Sequence, residues 1–181
     1  SLTLPAGVTN GSIPYDTKVT VSNDAAKGWK IGDTVVSTTD TYEFYIGADT
    51  TITMITDDVE AVPTVTIVGA NRLADPAYRY NIVATRNVPE GYELVDYGFV
   101  YGKNPTDAEL VLENEGNTGS QANAGAVKVV RAATKSSDSN QFALNYGIKT
   151  AGNFVTVKAF IVVKNAAGTQ VIYSDMQSFE S

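Results

Sequence analysis

Neither cysteine nor histidine occurs anywhere in the chain. Their absence removes thiol and imidazole chemistry, all disulfides, and nearly every zinc, copper or haem site. Basic residues are also scarce: 13 Lys and Arg stand against 20 Asp and Glu, a formal charge of −7 with an isoelectric point near 4.5. Without a basic cluster to release counterions from a phosphate backbone, no nucleic-acid partner is expected. No apolar run is long enough to cross a bilayer, so no membrane span is expected. The opening "SLTLPAGV" also lacks the charged start and apolar centre of a secretory signal. A first residue of Ser suggests a fragment or a processed chain.

What remains is the composition of a sheet protein. Hydrophobic residues make up 43% of the 181 positions and charged residues 18%, enough apolar material for an ordinary core. Tyr outnumbers Phe by 10 to 6, Gly reaches 15, and no segment repeats apolar residues at helical spacing. The expected fold class is all-β, with antiparallel strands joined by turns. The clearest strand is "NFVTVKAFIVVKN", residues 153 to 165. Val155, Val157, Ala159, Ile161 and Val163 line one side of it, and Phe154, Thr156, Lys158 and Phe160 the other.

A boundary is expected near residue 62, inside "TDDVEAVPTVT", where acidic residues and Pro63 interrupt two strand-rich stretches. Residues 1–62 hold nine acidic side chains against three Lys, whereas 63–181 hold eleven against ten basic ones. Almost all of the net charge therefore sits in the first block. That block reads as a small meander: "TKVTVSN", two strands around the Gly32-Asp33 turn, "TYEFYIG" and "TTITMIT". In the second, "PTVTIVGANRL", "AYRYNIVATRNVP", "ELVDYGFVYGK", "GAVKVVRAAT", "QFALNYGI", "FVTVKAFIVVKN" and "QVIYSDMQSF" read as strands. Mobile loops are expected at "ENEGNTGSQANAG" (113–125) and "KSSDSN" (135–140).

Two resemblances rest on these residues. "YDTKVTVSN", "GWKIGDTVVST" and "TYEFYIGADTTITMI" resemble a bacterial extracellular β-repeat, with Asp16 standing where the repeat usually has Gly. The second block, above all "VDYGFVYG" and the late hairpin, resembles a fibronectin type III or immunoglobulin-like module of Gram-positive-type surface proteins. Such modules have roughly a hundred residues and seven strands. The resemblance implies a small β-repeat domain at 1–62 and an immunoglobulin-like (fibronectin type III-like) β-sandwich at 63–181. It also implies an extracellular location, at the cell surface or secreted, in a multidomain protein. The implied role is spacing or adhesion, with neighbouring domains and a host or cell-wall protein or glycan as partners. Some Gram-positive adhesin domains of this architecture carry a Lys–Asn isopeptide crosslink. Lys158 and Lys128 are the residues to ask about, although Lys158 lies on the face opposite the valines.

Candidate chemistry is sparse. Glu90, Glu93 and Asp96 precede or open one strand and Glu109, Glu113 and Glu115 follow it, but their spacing is that of solvated edge charges as much as of an acid/base pair. No catalytic residue is assigned, and the chain is not expected to be an enzyme. No cofactor is expected, with calcium as the one open question: Asp57, Asp58 and Glu60 at the boundary offer oxygen ligands for it. They are equally the charges of a hydrated linker. Tyr97, Tyr101 and Trp29 are candidate sugar-stacking rings, which would make the chain a carbohydrate-binding module accessory to a secreted polysaccharide-degrading enzyme. Against this stands the packing role that alternating aromatics have in a sheet core.

Overall fold

The computed structural model describes residues 2–3, 13–47, 49–58, 61–73, 79–132, 140–148 and 153–180. Its elements are strands: β1 (Leu2–Thr3), β2 (Lys18–Ser22), β3 (Gly28–Ile31), β4 (Thr34–Ser37), β5 (Thr41–Tyr45) and β6 (Ile52–Ile55), then β7 (Thr64–Leu73), β8 (Arg79–Asn87), β9 (Glu93–Gly102), β10 (Lys128–Arg131), β11 (Gln141–Gly147), β12 (Phe154–Asn165), β13 (Gly168–Tyr173) and β14 (Gln177–Glu180). One 3-10 turn, Leu112–Asn114, is the sole helical piece among the described residues. The fold is all-β, and every strand pairing is antiparallel.

The first block is not the meander that its strand succession suggests. β2 pairs with β5 and β1, and β3 pairs with β4 and β6, giving two three-stranded sheets. Each sheet is apolar on one face only, so the two close on each other. β2 and β5 supply Val19, Tyr42 and Phe44, and β3 and β4 supply Trp29 and Val36. Tyr42 and Phe44 stack with centroids 5.2 Å apart. The turn between β3 and β4 is the expected Gly32-Asp33 pair, with Gly32 at φ 58°.

The second block is a sandwich. A sheet ordered β11-β8-β7 faces a sheet ordered β10-β9-β12-β13, and β14 continues along the edge of β12 that β13 begins. The facing sides carry the alternating residues read from the sequence: Ile82 and Ala84 from β8, Tyr97 and Phe99 from β9, and Val155 through Val163 from β12. Arg86 also points into this core. Its guanidinium carbon lies 4.1 Å from the centre of the Tyr97 ring and 5.8 Å from that of Phe142, a stacked cation that offsets part of the cost of burying the charge. Gly98 has a steric reason: a Cβ there would stand 2.0 Å from the Val130 carbonyl oxygen of β10.

The other face of β12 is covered too. Thr156, Lys158 and Phe160 are all buried, because residues 103–127 fold back and close a second cluster of Val100, Leu110 and Val127. The expectation of a mobile 113–125 loop is therefore corrected. Gly116 N–H donates to the Val127 carbonyl (2.8 Å), Val127 N–H to that of Asn117 (2.9 Å) and Gly125 N–H to that of Lys103 (2.9 Å). Residues 135–139 of the other expected loop lie outside the described residues.

Glu109 organises the excursion through a capping box. Thr106 N–H donates to its Oε2 at 2.9 Å, Glu109 N–H donates back to Thr106 Oγ1 at 3.3 Å, and Ser120 N–H donates to Oε1 at 2.7 Å. These bonds, that from Thr106 first, hold the carboxyl well below its ordinary range, at about 2. Lys158 reaches the same excursion, donating to the Asp107 carbonyl at 2.8 Å and pairing with its carboxylate at 2.8 Å. Its partner is thus an Asp that is itself 68% exposed, not a buried Asn. Lys128 is exposed on β10.

Candidate binding surface

The ring and carboxylate candidates read from the sequence do not come together. Trp29 is 7% exposed in the centre of the first block, and Tyr97 is 5% exposed beneath Arg86. Neither ring has a free face for a sugar, and both serve as core packing. Tyr101 sits half-buried at the end of the same core face, edge-on to Tyr146 with centroids 5.2 Å apart. Of the calcium candidates, Asp57 and Asp58 are exposed, with Lys27 3.6 Å from Asp58, and Glu60 lies outside the described residues. Among the described residues no three acidic side chains converge in a way that could hold a metal ion.

Three of the acidic residues singled out in the second block have structural employment. Asp96 accepts from Tyr97 N–H at 2.9 Å and pairs with Arg131 at 3.5 Å, and Arg131 also reaches Glu115 at 3.3 Å. Glu109 holds the excursion.

The surface with the richest chemistry lies where the first block rests on the outer face of the β11-β8-β7 sheet. Alternation on β8 and β11 turns Asn81, Val83, Thr85, Gln141 and Asn145 outward, away from the sandwich core. The first block meets them with three tyrosines. Tyr15 donates its hydroxyl to Asn81 Oδ1 at 2.6 Å, and the Tyr42 hydroxyl lies 3.2 Å from Thr85 Oγ1 in a buried contact. At Tyr45 the contact is with the main chain: its N–H donates to Gln141 Oε1 at 2.8 Å and its carbonyl accepts from Gln141 Nε2 at 3.3 Å. One side-chain amide thereby acts as a short strand on the edge of β5 that β2 leaves unpaired. Thr64 adds a bond to the Val35 carbonyl.

This clamp divides two open clefts, each lined in part by Tyr45 and Gln141. One, of about 440 Å³, runs along the hydroxyl-rich stretch Ser37 to Thr41 and the Lys18–Glu43 ion pair. The other, of about 430 Å³, is bounded by Tyr15, Asp16, Asn81, Phe142 and Asn145. Tyr15 and Tyr45 are the exposed rings of this region, at 41% and 43%. Sequence reading passed over both, although Tyr45 carried a signal: on β5 it shares its face with Thr41 and Glu43, whereas Tyr42 and Phe44 alternate inward. The amides of β8 and β11 gave no signal, because only the docking of the first block brings them beside those rings.

The chain matches no protein-family model, and no curated protein or solved structure is significantly similar to it. Among the described residues no helix is long and apolar enough to cross a membrane. What the fold defines is a class: an all-β protein of antiparallel sheets with a sandwich-like core.

Proposed function

We propose that the chain is a non-catalytic structural and adhesion module of a bacterial cell-surface or secreted protein, a stiff spacer that also presents a binding face. The observation that carries this reading is the strand order of the second block. Numbered from β7, a sheet 5-2-1 faces a sheet 4-3-6-7, an arrangement like that of fibronectin type III modules, which recur in extracellular chains. The hydrogen-bonded junction supports the spacer role, since six side chains (Tyr15, Tyr42, Thr64, Asn81, Thr85 and Gln141) tie the first block to the sandwich. Neighbouring domains of a longer protein, and a host or cell-wall protein or glycan, are the partners this role calls for.

Immunolabelling of cells that express the parent protein tests the location. Signal on intact cells is the expected result, and signal confined to permeabilised cells overturns the reading. A second reading, a carbohydrate-binding module serving a secreted polysaccharide-degrading enzyme, is favoured by the exposed tyrosines beside the paired clefts. A hydrolase domain encoded beside this chain is the outcome that selects it.

A further inference from the structure

The cleft at Tyr15 holds more than the junction uses. We infer that this cleft, with the Tyr45 ring as its platform, is a binding site for a neutral oligosaccharide. The inference rests on reading the chain as a non-catalytic binding module and adds to it a site and a ligand class.

Three features select that ligand. First, both residues are anchored before any ligand arrives, one through its hydroxyl and the other through its main chain. The Tyr15 hydroxyl is fixed by Asn81, and the Tyr45 main chain is fixed on both sides by Gln141. A ring on an anchored residue that keeps two-fifths of the residue's surface exposed is suited to stack on the apolar face of a pyranose. Second, polar groups remain for the hydroxyls. Asn81 Nδ2 donates to Asn145 Oδ1 at 2.7 Å, which leaves the Asn145 amide nitrogen as a donor with no partner among the described residues. Asp16, held beside the cleft by its N–H bond to the Ile46 carbonyl (2.8 Å), brings a carboxylate with no ion-pair partner there. A carboxylate accepting from a sugar hydroxyl and an amide donating to its neighbour suit a vicinal diol. Third, the charge excludes the alternatives. The chain is acidic, Asp16 is the charged residue lining this cleft, and Lys18 of the adjoining cleft is taken by Glu43 at 3.0 Å. A phosphate or a uronic acid would find repulsion here and, among the described residues lining the two clefts, no free cation. The volume of about 430 Å³ falls in the range of small-ligand sites, and its open form admits a chain longer than the cleft itself.

The test is a two-dimensional amide NMR titration of the whole chain with cellohexaose, maltohexaose, xylohexaose and, as an anionic control, oligogalacturonate. At least one neutral probe is expected to shift the main-chain signals of residues 15–16 and 45–47 and the side-chain amide signals of Asn81, Gln141 and Asn145. Oligogalacturonate is expected to shift none of them. Tyr45→Ala and, separately, Asn145→Ala are each expected to weaken binding about tenfold or more, whereas Met176→Ala, a change at an exposed residue outside the cleft, leaves it unchanged. Spectra of the variants without sugar show directly whether each still folds. The assignment is overturned by any of four results: no shift with any neutral probe at about 10 mM, a concentration that would reveal even millimolar affinity; shifts elsewhere on the surface; undiminished binding in both folded variants; or a protein ligand occupying this face with no response to sugar. Release of shorter sugars during the titration would instead overturn the non-catalytic reading while leaving the site in place.

Discussion

The two blocks of this chain solve the same problem with different means. The sandwich buries two facing sheets of branched and aromatic side chains and then covers the back of β12 with residues 103–127. The first block has sheets of four or five residues per strand, apart from the two-residue β1, and a small core that depends on Trp29, Tyr42 and Phe44 for most of its volume. Short sheets of this size are marginal alone. The difference teaches why polar side chains of β7, β8 and β11 reach across the junction: the smaller block leans on the larger one, and the two are expected to unfold together.

The largest effect expected from a single change tests that dependence. Gly98→Ala places a methyl against the Val130 carbonyl and the Arg131 Cα, both main-chain atoms that cannot swing aside. A loss of about 3 kcal/mol is expected from the forced separation of β9 and β10. Trp29 is the one Trp and belongs to the first block, so its fluorescence reports that block while the substitution strikes the other. In urea, the Trp29 transition and the loss of β12 amide signals should move to lower denaturant together. A Trp29 transition that stays in place would show that the first block stands by itself.

Tyr42 joins the two blocks from the inside. Burial pushes its phenol up to about 12 from an ordinary 10, against the smaller opposing effect of the bond to Thr85. Because the folded chain holds this proton more tightly than the unfolded one, the contribution is complete below pH 10 and disappears as pH rises through about 12. The Tyr42-dependent loss across that window is about 2–3 kcal/mol. Tyr42→Phe should cost about 1 kcal/mol at neutral pH, where the Thr85 contact is lost. Its stability should then fall less between pH 10 and 12 than that of the parent, measured by urea unfolding at each pH. Equal slopes for the two proteins would mean that Tyr42 opens to solvent before it titrates.

How much of this was legible beforehand depends on whether the residue's partner was near in sequence. The strands β7, β8, β9 and β12 were readable because alternation is local and the period of two survives in any sheet. The Gly32-Asp33 turn was readable for the same reason. The φ of 61° at Asp16 marks a left-handed position, where Gly is favoured and Asp tolerated, and a single Asp in the sequence does not announce it. The pairing of β2 with β5 was not readable, since nothing in the β2 sequence says which apolar edge it will meet. The capping box "TDAE" was readable, as Thr followed three positions later by Glu, yet it lies in a stretch whose polarity invites the word loop. The candidate site was least legible. Its rings come from residues 15 and 45 and its amides from 81, 141 and 145, so it exists only once the blocks have docked.

A smaller effect separates coupling from stability. Gln141→Ala removes both bonds to the Tyr45 main chain at a site open to water, and about 0.5–1 kcal/mol is expected. The global urea midpoint should therefore move little. Hydrogen exchange should change more, with the Tyr45 amide losing protection while Val19 and Phe44 keep theirs. Retained protection at Tyr45 would mean that another group closes the β5 edge and that the amide clamp is dispensable.

The least change at neutral pH is expected from Glu109→Gln: its one amide oxygen can accept from Thr106 or from Ser120 but not from both, and the N–H left over turns to water at a site near solvent. The distinction appears in acid. With its folded carboxyl at about 2 and the unfolded one near the ordinary 4.5, Glu109 contributes fully above that ordinary value. The contribution is lost as pH falls toward 2, when the unfolded chain binds the proton first. The melting temperature of the parent should therefore fall more steeply than that of the variant between pH 4.5 and 2. Since the excursion covers Lys158 on the sandwich and touches nothing of the first block through these bonds, the acid loss should begin at residues 103–127 and reach Trp29 only at global unfolding. If Trp29 fluorescence changes first, the first block, with its excess of carboxylates over lysines, is the weaker partner in acid, and the order of dependence between the blocks reverses.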